Sequence, residues 1–148
     1  MTAQALAPTT LIAVVGAGAM GAGIAQVAAA AGHPVRLLDK RADAAARAVA
    51  GVKAQFARLA EKGRMTAAEA VAASERLLPV QSPGDLAEAG LVVEAIVEDL
   101  AAKQALYADL EAIVGPQCLF GTNTSSLSVT AIGAALKRPE RLAGLHFF

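Results

Sequence analysis

Short apolar runs alternate along this chain with longer segments in which apolar residues recur at helical spacing. Residues 11–15 form a continuously apolar run that ends at a glycine, which is typical of a strand buried on both faces. Similar runs predict four further strands, at residues 35–38, 91–95, 119–121 and 142–146. Because these runs do not alternate with polar residues, we expect the strands to lie inside a covered, parallel sheet.

The segments between these runs predict helices. They cover residues 19–31, 42–61, 100–114 and 128–136, with a further helix that begins after Thr66 and runs to about residue 77. Thr66 is the expected N-cap of that helix, because Glu69 follows it at the capping-box position. The two helices that flank residues 62–65 predict a helical hairpin, which is longer than a simple crossover between strands requires.

This alternation of strands and helices predicts an α/β fold with an open, largely parallel sheet. The first strand, helix and second strand occupy about 28 residues, as expected of two parallel strands joined by a right-handed crossover. We expect residues 1–10 to be a disordered lead and residues 11–148 to form one domain.

A glycine pattern follows the first strand and opens the first helix. Gly16, Gly18 and Gly21 match G-x-G-x-x-G, with Ala19 and Met20 between the last two glycines. In this context, the pattern predicts a tight turn, a close approach of backbone to a pyrophosphate, and a helix N-terminus that faces the phosphates.

Asp39 strengthens this interpretation, because it ends the second predicted strand 18 residues after Gly21. An acidic side chain at this point accepts hydrogen bonds from the adenosine ribose. Its charge favours NAD over NADP, although the adjacent Lys40 and Arg41 weaken that preference. The fold class is therefore predicted as Rossmann-type: a doubly wound, largely parallel sheet with an inserted helical hairpin.

Composition excludes several other classes. The chain has 13 Lys+Arg and 13 Asp+Glu, which argues against a nucleic-acid binder. Residues 11–35 contain no Lys, Arg, Asp or Glu, but the four glycines at positions 16, 18, 21 and 23 and an alanine-rich second half argue against a membrane span. Cys118 is the one cysteine, so no internal disulfide is possible, and no metal-ligand cluster stands out in the sequence.

Polar residues follow the later predicted strands, at the edge where open α/β sheets bind ligands. Glu94 and Glu98 lie at the end of one strand, Asn123 and Ser125 follow the next, and His146 ends the last. A neutral imidazole is the usual base for a hydroxyl proton near neutral pH, so His146 is the candidate base. Composition and spacing predict a polar site but do not name its substrate.

Four stretches in order resemble the L-3-hydroxyacyl-CoA dehydrogenase family, of the 3-hydroxybutyryl-CoA dehydrogenase type. They are residues 16–26, 93–100, 122–128 and 139–148. The resemblance extends over residues 11–148 and corresponds to the family's N-terminal NAD-binding domain. It implies an NAD-dependent oxidoreductase of fatty-acid β-oxidation or related acyl-CoA metabolism, which oxidises (S)-3-hydroxyacyl-CoA to 3-oxoacyl-CoA.

The resemblance also implies a role for individual residues. His146 matches the catalytic histidine that removes the 3-hydroxyl proton, and Ser125 matches a serine that hydrogen-bonds substrate beside the cofactor. Asn123 lines the same pocket. Glu98 and Lys103 match cofactor-contacting positions.

Coenzyme A would be held by the helical hairpin. Lys62 aligns with a CoA-contacting lysine, whereas Gln55 replaces a serine that makes this contact in some members of the family.

The resemblance further implies that parts of the enzyme lie outside this sequence. A glutamate that orients the histidine, a C-terminal helical domain and the dimer surface belong to the rest of the family's chain. We therefore expect the fragment alone to be inactive or very weak, the full-length enzyme to be a cytoplasmic homodimer, and acyl-CoA to be its substrate. A non-catalytic dinucleotide-binding module and a related dehydrogenase of a sugar acid remain alternatives.

Overall fold

The computed structural model describes residues 5–148. Residues 1–4 of the predicted disordered lead lie outside the described residues. Residues 5–10 form no helix or strand, although the Thr10 amide donates to the Ala7 carbonyl at 2.8 Å. The division into a lead and one domain stays a prediction.

Six strands form a single parallel sheet with helices between them. Along the chain the elements are β1 (Ile12–Val15), α1 (Ala19–Ala30), β2 (Val35–Leu38), α2 (Ala44–Glu61), α3 (Ala67–Glu75), β3 (Leu77–Val80), β4 (Leu91–Glu94), α4 (Leu100–Ile113), β5 (Leu119–Thr122), α5 (Val129–Gly133) and β6 (Leu142–Gly144). The strand order is β3-β2-β1-β4-β5-β6, and every pairing is parallel. This is the order of a Rossmann fold, so the predicted fold class is confirmed.

The sheet is covered on both faces, as the apolar strands predict. In β1, Ile12 and Val14 join a core with α1, α2 and α3, whereas Ala13 and Val15 join a second core with α4. Phe56 anchors the first of these cores and Tyr107 the second. Since both faces of β1 are buried, the strand has no solvent-facing positions to be polar.

The third strand is missing from the sequence prediction. The helix that begins after Thr66 ends at Glu75 instead of about residue 77, and Leu77–Val80 pairs with β2 as the edge strand β3. Pro79 concealed it, because proline cannot donate to a ladder, yet an edge strand tolerates a residue without an N–H. Because β3 follows α3 directly, the helical hairpin is itself the crossover between β2 and β3.

Other predicted elements differ only in their ends. The last strand stops at Gly144 instead of residue 146, and the short helix after Ser128 stops at Gly133 instead of residue 136. The capping box of α3 is confirmed: the Glu69 amide donates to Thr66 Oγ1 at 3.0 Å, and the Thr66 amide donates to a Glu69 carboxylate oxygen at 2.8 Å. No helix in the described part of the chain is both long and apolar enough to cross a membrane.

Candidate cofactor and active site

The loop after β1 is shaped by two glycines that leave no room for a side chain. Gly16 has a φ of 107°, and a Cβ there would lie 2.4 Å from the Ala95 carbonyl oxygen. A Cβ on Gly21 would lie 1.6 Å from the Gly16 carbonyl oxygen. These two positions close the loop tightly against β4 and against the first turn of α1.

Gly18 differs from its neighbours because it faces open space. A Cβ on Gly18 would have no protein atom within 4 Å, and its φ of −75° is open to any residue. Gly18 is also the N-cap of α1, so no side chain satisfies the first amide groups of the helix, and the first turn carries no acidic residue. The residues present therefore fit a pyrophosphate that approaches the backbone at Gly18.

Asp39 lies beside this loop, immediately after β2. Its Oδ2 accepts a hydrogen bond from the Ala17 amide at 2.7 Å, which ties the end of β2 to the glycine loop. The Arg41 guanidinium also bonds the carboxylate, at 2.9 and 3.0 Å. The Arg41 hydrogen bonds are the main reason that the pKa of Asp39 lies well below its usual range, so the carboxylate is charged at neutral pH.

A buried charge cluster lies under the carboxyl ends of β4 and β5. Glu94 has no exposed surface, and its carboxylate pairs with Lys103 Nζ at 2.5 Å. Thr122, its register partner on β5, donates to the other Glu94 oxygen at 2.6 Å. Burial, followed by the Glu94 charge, raises the pKa of Tyr107, whose hydroxyl donates to the Gly121 carbonyl at 2.9 Å.

Glu98 connects this buried cluster to Ser125. One Glu98 oxygen lies 3.6 Å from Lys103 Nζ and accepts a hydrogen bond from Thr124 Oγ1 at 2.7 Å. The other accepts from both the amide and the hydroxyl of Ser125, each at 3.0 Å. The Ser125 amide and then the Thr124 hydroxyl lower the pKa of Glu98 to about 2. Glu98 is therefore a fixed anion that holds the loop after β5.

Asn123 holds the segment that carries His146. The Asn123 side-chain oxygen accepts a hydrogen bond from the Phe147 amide at 2.7 Å, and the Leu145 amide donates to the Thr122 carbonyl at 2.9 Å. His146 thus lies between two main-chain amides that donate hydrogen bonds, one to the Thr122 carbonyl and one to the Asn123 side chain. Its ring is exposed, lies 5.6 Å from the Phe148 ring, and makes no hydrogen bond within the described residues.

The structure brings most of the predicted residues to one edge of the sheet. The glycine loop, Glu98, Asn123, Ser125 and His146 all follow the carboxyl ends of neighbouring strands. Lys103 is buried to 1% exposure below them, so its charge faces the two glutamates.

The two predicted CoA contacts lie elsewhere, on α2 and its end. Gln55 and Gly18 line one groove of about 880 Å³ between α1 and α2, and Gln55 accepts a hydrogen bond from Arg58 at 3.2 Å. Lys62 is exposed where α2 ends.

Sequence reasoning missed the supporting residues Tyr107, Thr122 and Thr124. Only one signal in the chain indicates such a cluster: Lys103 and Tyr107 are spaced by four on the otherwise apolar face of α4. Among the described residues, no group of three or more His, Cys, Asp or Glu is arranged to hold a metal ion.

Comparison with known proteins identifies the family. A model of the family described as 3-hydroxyacyl-CoA dehydrogenase, NAD binding domain, matches residues 11–148. The chain belongs to this family. The chain is 50% identical over 137 residues to 3-hydroxyadipyl-CoA dehydrogenase of Escherichia coli K12, and the match covers 93% of this chain and 29% of that protein. It thus corresponds to the domain that binds NAD, and the predicted cofactor is confirmed.

Solved structures agree with this membership. The crystal structure of 3-hydroxybutyryl-CoA dehydrogenase from Escherichia coli K12 superposes with a TM-score of 0.91 at 48% identity, over 95% of this chain and 30% of that chain. For (S)-3-hydroxybutyryl-CoA dehydrogenase from Ralstonia eutropha the TM-score is 0.89 at 35% identity, over 95% and 50% of the two chains. The chain therefore spans between about a third and a half of these dehydrogenases.

Proposed function

We propose that this domain serves an enzyme that interconverts (S)-3-hydroxyacyl-CoA and 3-oxoacyl-CoA, with His146 as the base that takes the 3-hydroxyl proton. NAD⁺, when bound, accepts the hydride from C3 of the substrate. The observation that carries the proposal is the convergence of the glycine loop, Glu98, Ser125 and His146 at one edge of the sheet. This is the edge where parallel α/β sheets bind their ligands.

Ser125 is proposed to contact the substrate directly. Its hydroxyl donates to Glu98 at 3.0 Å, and when substrate binds the same hydroxyl can turn and donate to the substrate's 3-oxygen instead, which leaves the 3-hydroxyl proton to His146. Glu98 keeps its hydrogen bond from the Ser125 amide, so the residue stays in place while its hydroxyl changes partner. Glu98 therefore positions Ser125 as a donor.

Asn123 is proposed to act as a positioning residue for His146. Its hydrogen bond to the Phe147 amide fixes the main chain one residue beyond the histidine but leaves the ring free. A general base needs its ring held at the proton that it removes. We therefore propose that a carboxylate outside residues 5–148 orients the ring, and that this domain alone turns over acyl-CoA weakly.

We propose that Lys103 supports the cofactor site indirectly, through its contacts with Glu94 and Glu98, because so little of its side chain is exposed. Lys62 and Gln55 are proposed to contact coenzyme A from α2. The acyl-CoA substrate, the dimer and the cytoplasmic location stay predictions.

The test is reduction of 3-oxoacyl-CoA by the full-length protein that carries this domain, followed by the loss of NADH absorbance. We expect His146→Gln to lower kcat by about 10²–10⁴-fold, the usual contribution of a general acid or base. His33→Gln, at the other histidine of the chain, is the matched control and is expected to keep its activity.

Equal rates for the two histidine variants would contradict the assignment of His146. Robust turnover by the 148-residue chain alone would contradict the need for a carboxylate outside it. NADH binding with no turnover at any acyl-chain length would instead favour a non-catalytic binding module.

A further inference from the structure

The carboxylate of Asp39 has no free lone pair. Its Oδ2 accepts from the Ala17 amide at 2.7 Å and from one Arg41 guanidinium nitrogen at 2.9 Å. Its Oδ1 accepts from the Arg41 amide at 2.8 Å and from Arg41 Nε at 3.0 Å. A carboxylate offers about four acceptor sites, and these four donors fill them.

This arrangement has a consequence for the adenosine ribose, whose hydroxyl groups need acceptor sites on the acidic residue after β2. The Ala17 and Arg41 amides belong to the main chain of the loops after β1 and β2, and they cannot leave Asp39 unless these loops unfold. The guanidinium is the donor that can leave, because the Arg41 side chain is 63% exposed whereas that of Asp39 is 6% exposed. Cofactor binding must therefore move Arg41 off Asp39.

A displaced Arg41 stays close to the place where the ribose binds. Arg41 lines the large groove that contains Ala17 and Gly18, and it also lines a pocket of about 250 Å³ beyond Asp39. Lys40 lines the same pocket and adds a second positive charge. The Arg41 guanidinium can therefore move into the groove or into the pocket and, in either place, stay near enough to contact a group on the ribose 2′ position.

We propose that Arg41 is a cofactor-specificity residue that lets this chain bind NADP(H) in addition to NAD(H). With NADP(H), the guanidinium leaves Asp39 and forms bidentate hydrogen bonds with the 2′-phosphate, a geometry that arginine suits. With NAD(H), the same movement frees Asp39 to accept from the ribose hydroxyls. The proposal rests on cofactor binding at the glycine loop and is independent of the acyl-CoA reaction.

The experiment is a fluorescence titration of the 148-residue chain with NADH and, separately, with NADPH. For Arg41→Ala we expect the NADPH Kd to rise at least about tenfold, since the loss of even one of the two hydrogen bonds between charged groups has an effect of this size. The NADH Kd should stay within about threefold or fall, since the guanidinium no longer competes for Asp39. Retained NADH binding also shows that the variant is folded.

Lys137→Ala is the charge-matched control, because Lys137 is exposed beside Glu111 on α4, away from β2. We expect this variant to bind both cofactors as the unchanged chain does. The proposal is overturned if the unchanged chain binds NADH but not NADPH, if Arg41→Ala weakens both cofactors equally, or if Lys137→Ala weakens NADPH as much. NADH affinity tests the loop and Asp39, whereas the ratio of the two affinities tests Arg41, so the two can fail separately.

Discussion

Replacing Gly21 with alanine should break the cofactor loop, whereas the same change two residues later should stabilise the chain. A Cβ on Gly21 would lie 1.6 Å from the Gly16 carbonyl oxygen, so α1 and the loop must separate by about 2 Å to reach ordinary contact. The position of the Cβ is fixed by the Gly21 backbone, and the Gly16 carbonyl is itself backbone, so neither atom can rotate away. We expect the unfolding free energy to fall by about 3 kcal/mol, which is the upper end of the range typical of overpacked cores.

Gly23→Ala is the matched control, because a Cβ there has no atom within 4 Å, apart from the helix's own nearby backbone. It removes the entropy cost of glycine in a helix and should raise the unfolding free energy by about 0.5–1 kcal/mol. Gly18→Ala should lower the unfolding free energy by at most about 1 kcal/mol, since a Cβ there is free of contacts but alanine is a poorer N-cap than glycine. It should still weaken NADH binding, because the Cβ occupies the space through which a pyrophosphate approaches.

The three variants are compared by urea unfolding of the 148-residue chain and by NADH fluorescence titration. We expect Gly21→Ala to be the least stable and Gly23→Ala the most stable, and Gly18→Ala to lose affinity for NADH with only a small loss of stability. If Gly21→Ala unfolds at the same urea concentration as Gly23→Ala, the glycine loop and α1 do not approach each other as closely as described. If Gly18→Ala binds NADH normally, the open space at Gly18 is not where the phosphates lie.

Three other predictions concern charge and capping. Lys103→Met should cost about 3–5 kcal/mol in urea unfolding, because it leaves the buried Glu94 charge without its partner, and Glu94→Gln in the same chain should restore much of the loss. Glu98→Gln should make the unfolding free energy depend less steeply on pH between about pH 4.3 and 2. The pKa of Glu98 is about 2 in the folded chain and about 4.3 in the unfolded chain, so Glu98 stabilises the fold above pH 4.3, and that contribution is lost as the pH falls towards 2. The same pH dependence of the unfolding free energy in the unchanged chain and in Glu98→Gln would contradict this assignment. Thr66→Ala should lower the unfolding free energy by about 1 kcal/mol by removing the cap of α3, and an unchanged urea midpoint would show that the cap is replaced by water.

The fold was predictable from the sequence where local patterns carry it. The apolar run that ends at Gly16 gave β1, and similar apolar runs gave its parallel neighbours β2 and β4. Thr66 with Glu69 gave the start of α3, because both halves of a capping box are close in sequence. The edge strand β3 was not predictable in this way. Only one residue separates its four residues from the end of α3, and they include Pro79 and the half-exposed Leu78. Only their pairing with β2 makes them a strand.

The candidate site was predictable residue by residue but not in its connections. The resemblance placed Glu98 and Lys103 at the cofactor, yet it did not indicate that Lys103 is buried and paired with Glu94. That pairing depends on how α4 packs on the sheet, and the register of β4 and β5 then sets Thr122 beside the other Glu94 oxygen. Arg141 likewise makes contacts that no local sequence pattern predicts. It is buried against the Phe120 ring and donates to the Cys118 and Gly115 carbonyls.

The hydrogen bonds of the site separate what this domain fixes from what it leaves to its ligands. Ser125 is held at both its amide and its hydroxyl by Glu98, whereas His146 is held only through the amides of its two neighbours. The serine therefore has one orientation before substrate binds, but the imidazole ring can rotate. Since proton transfer requires an oriented ring, the sheet fixes where the base lies, and a further contact must fix where it points.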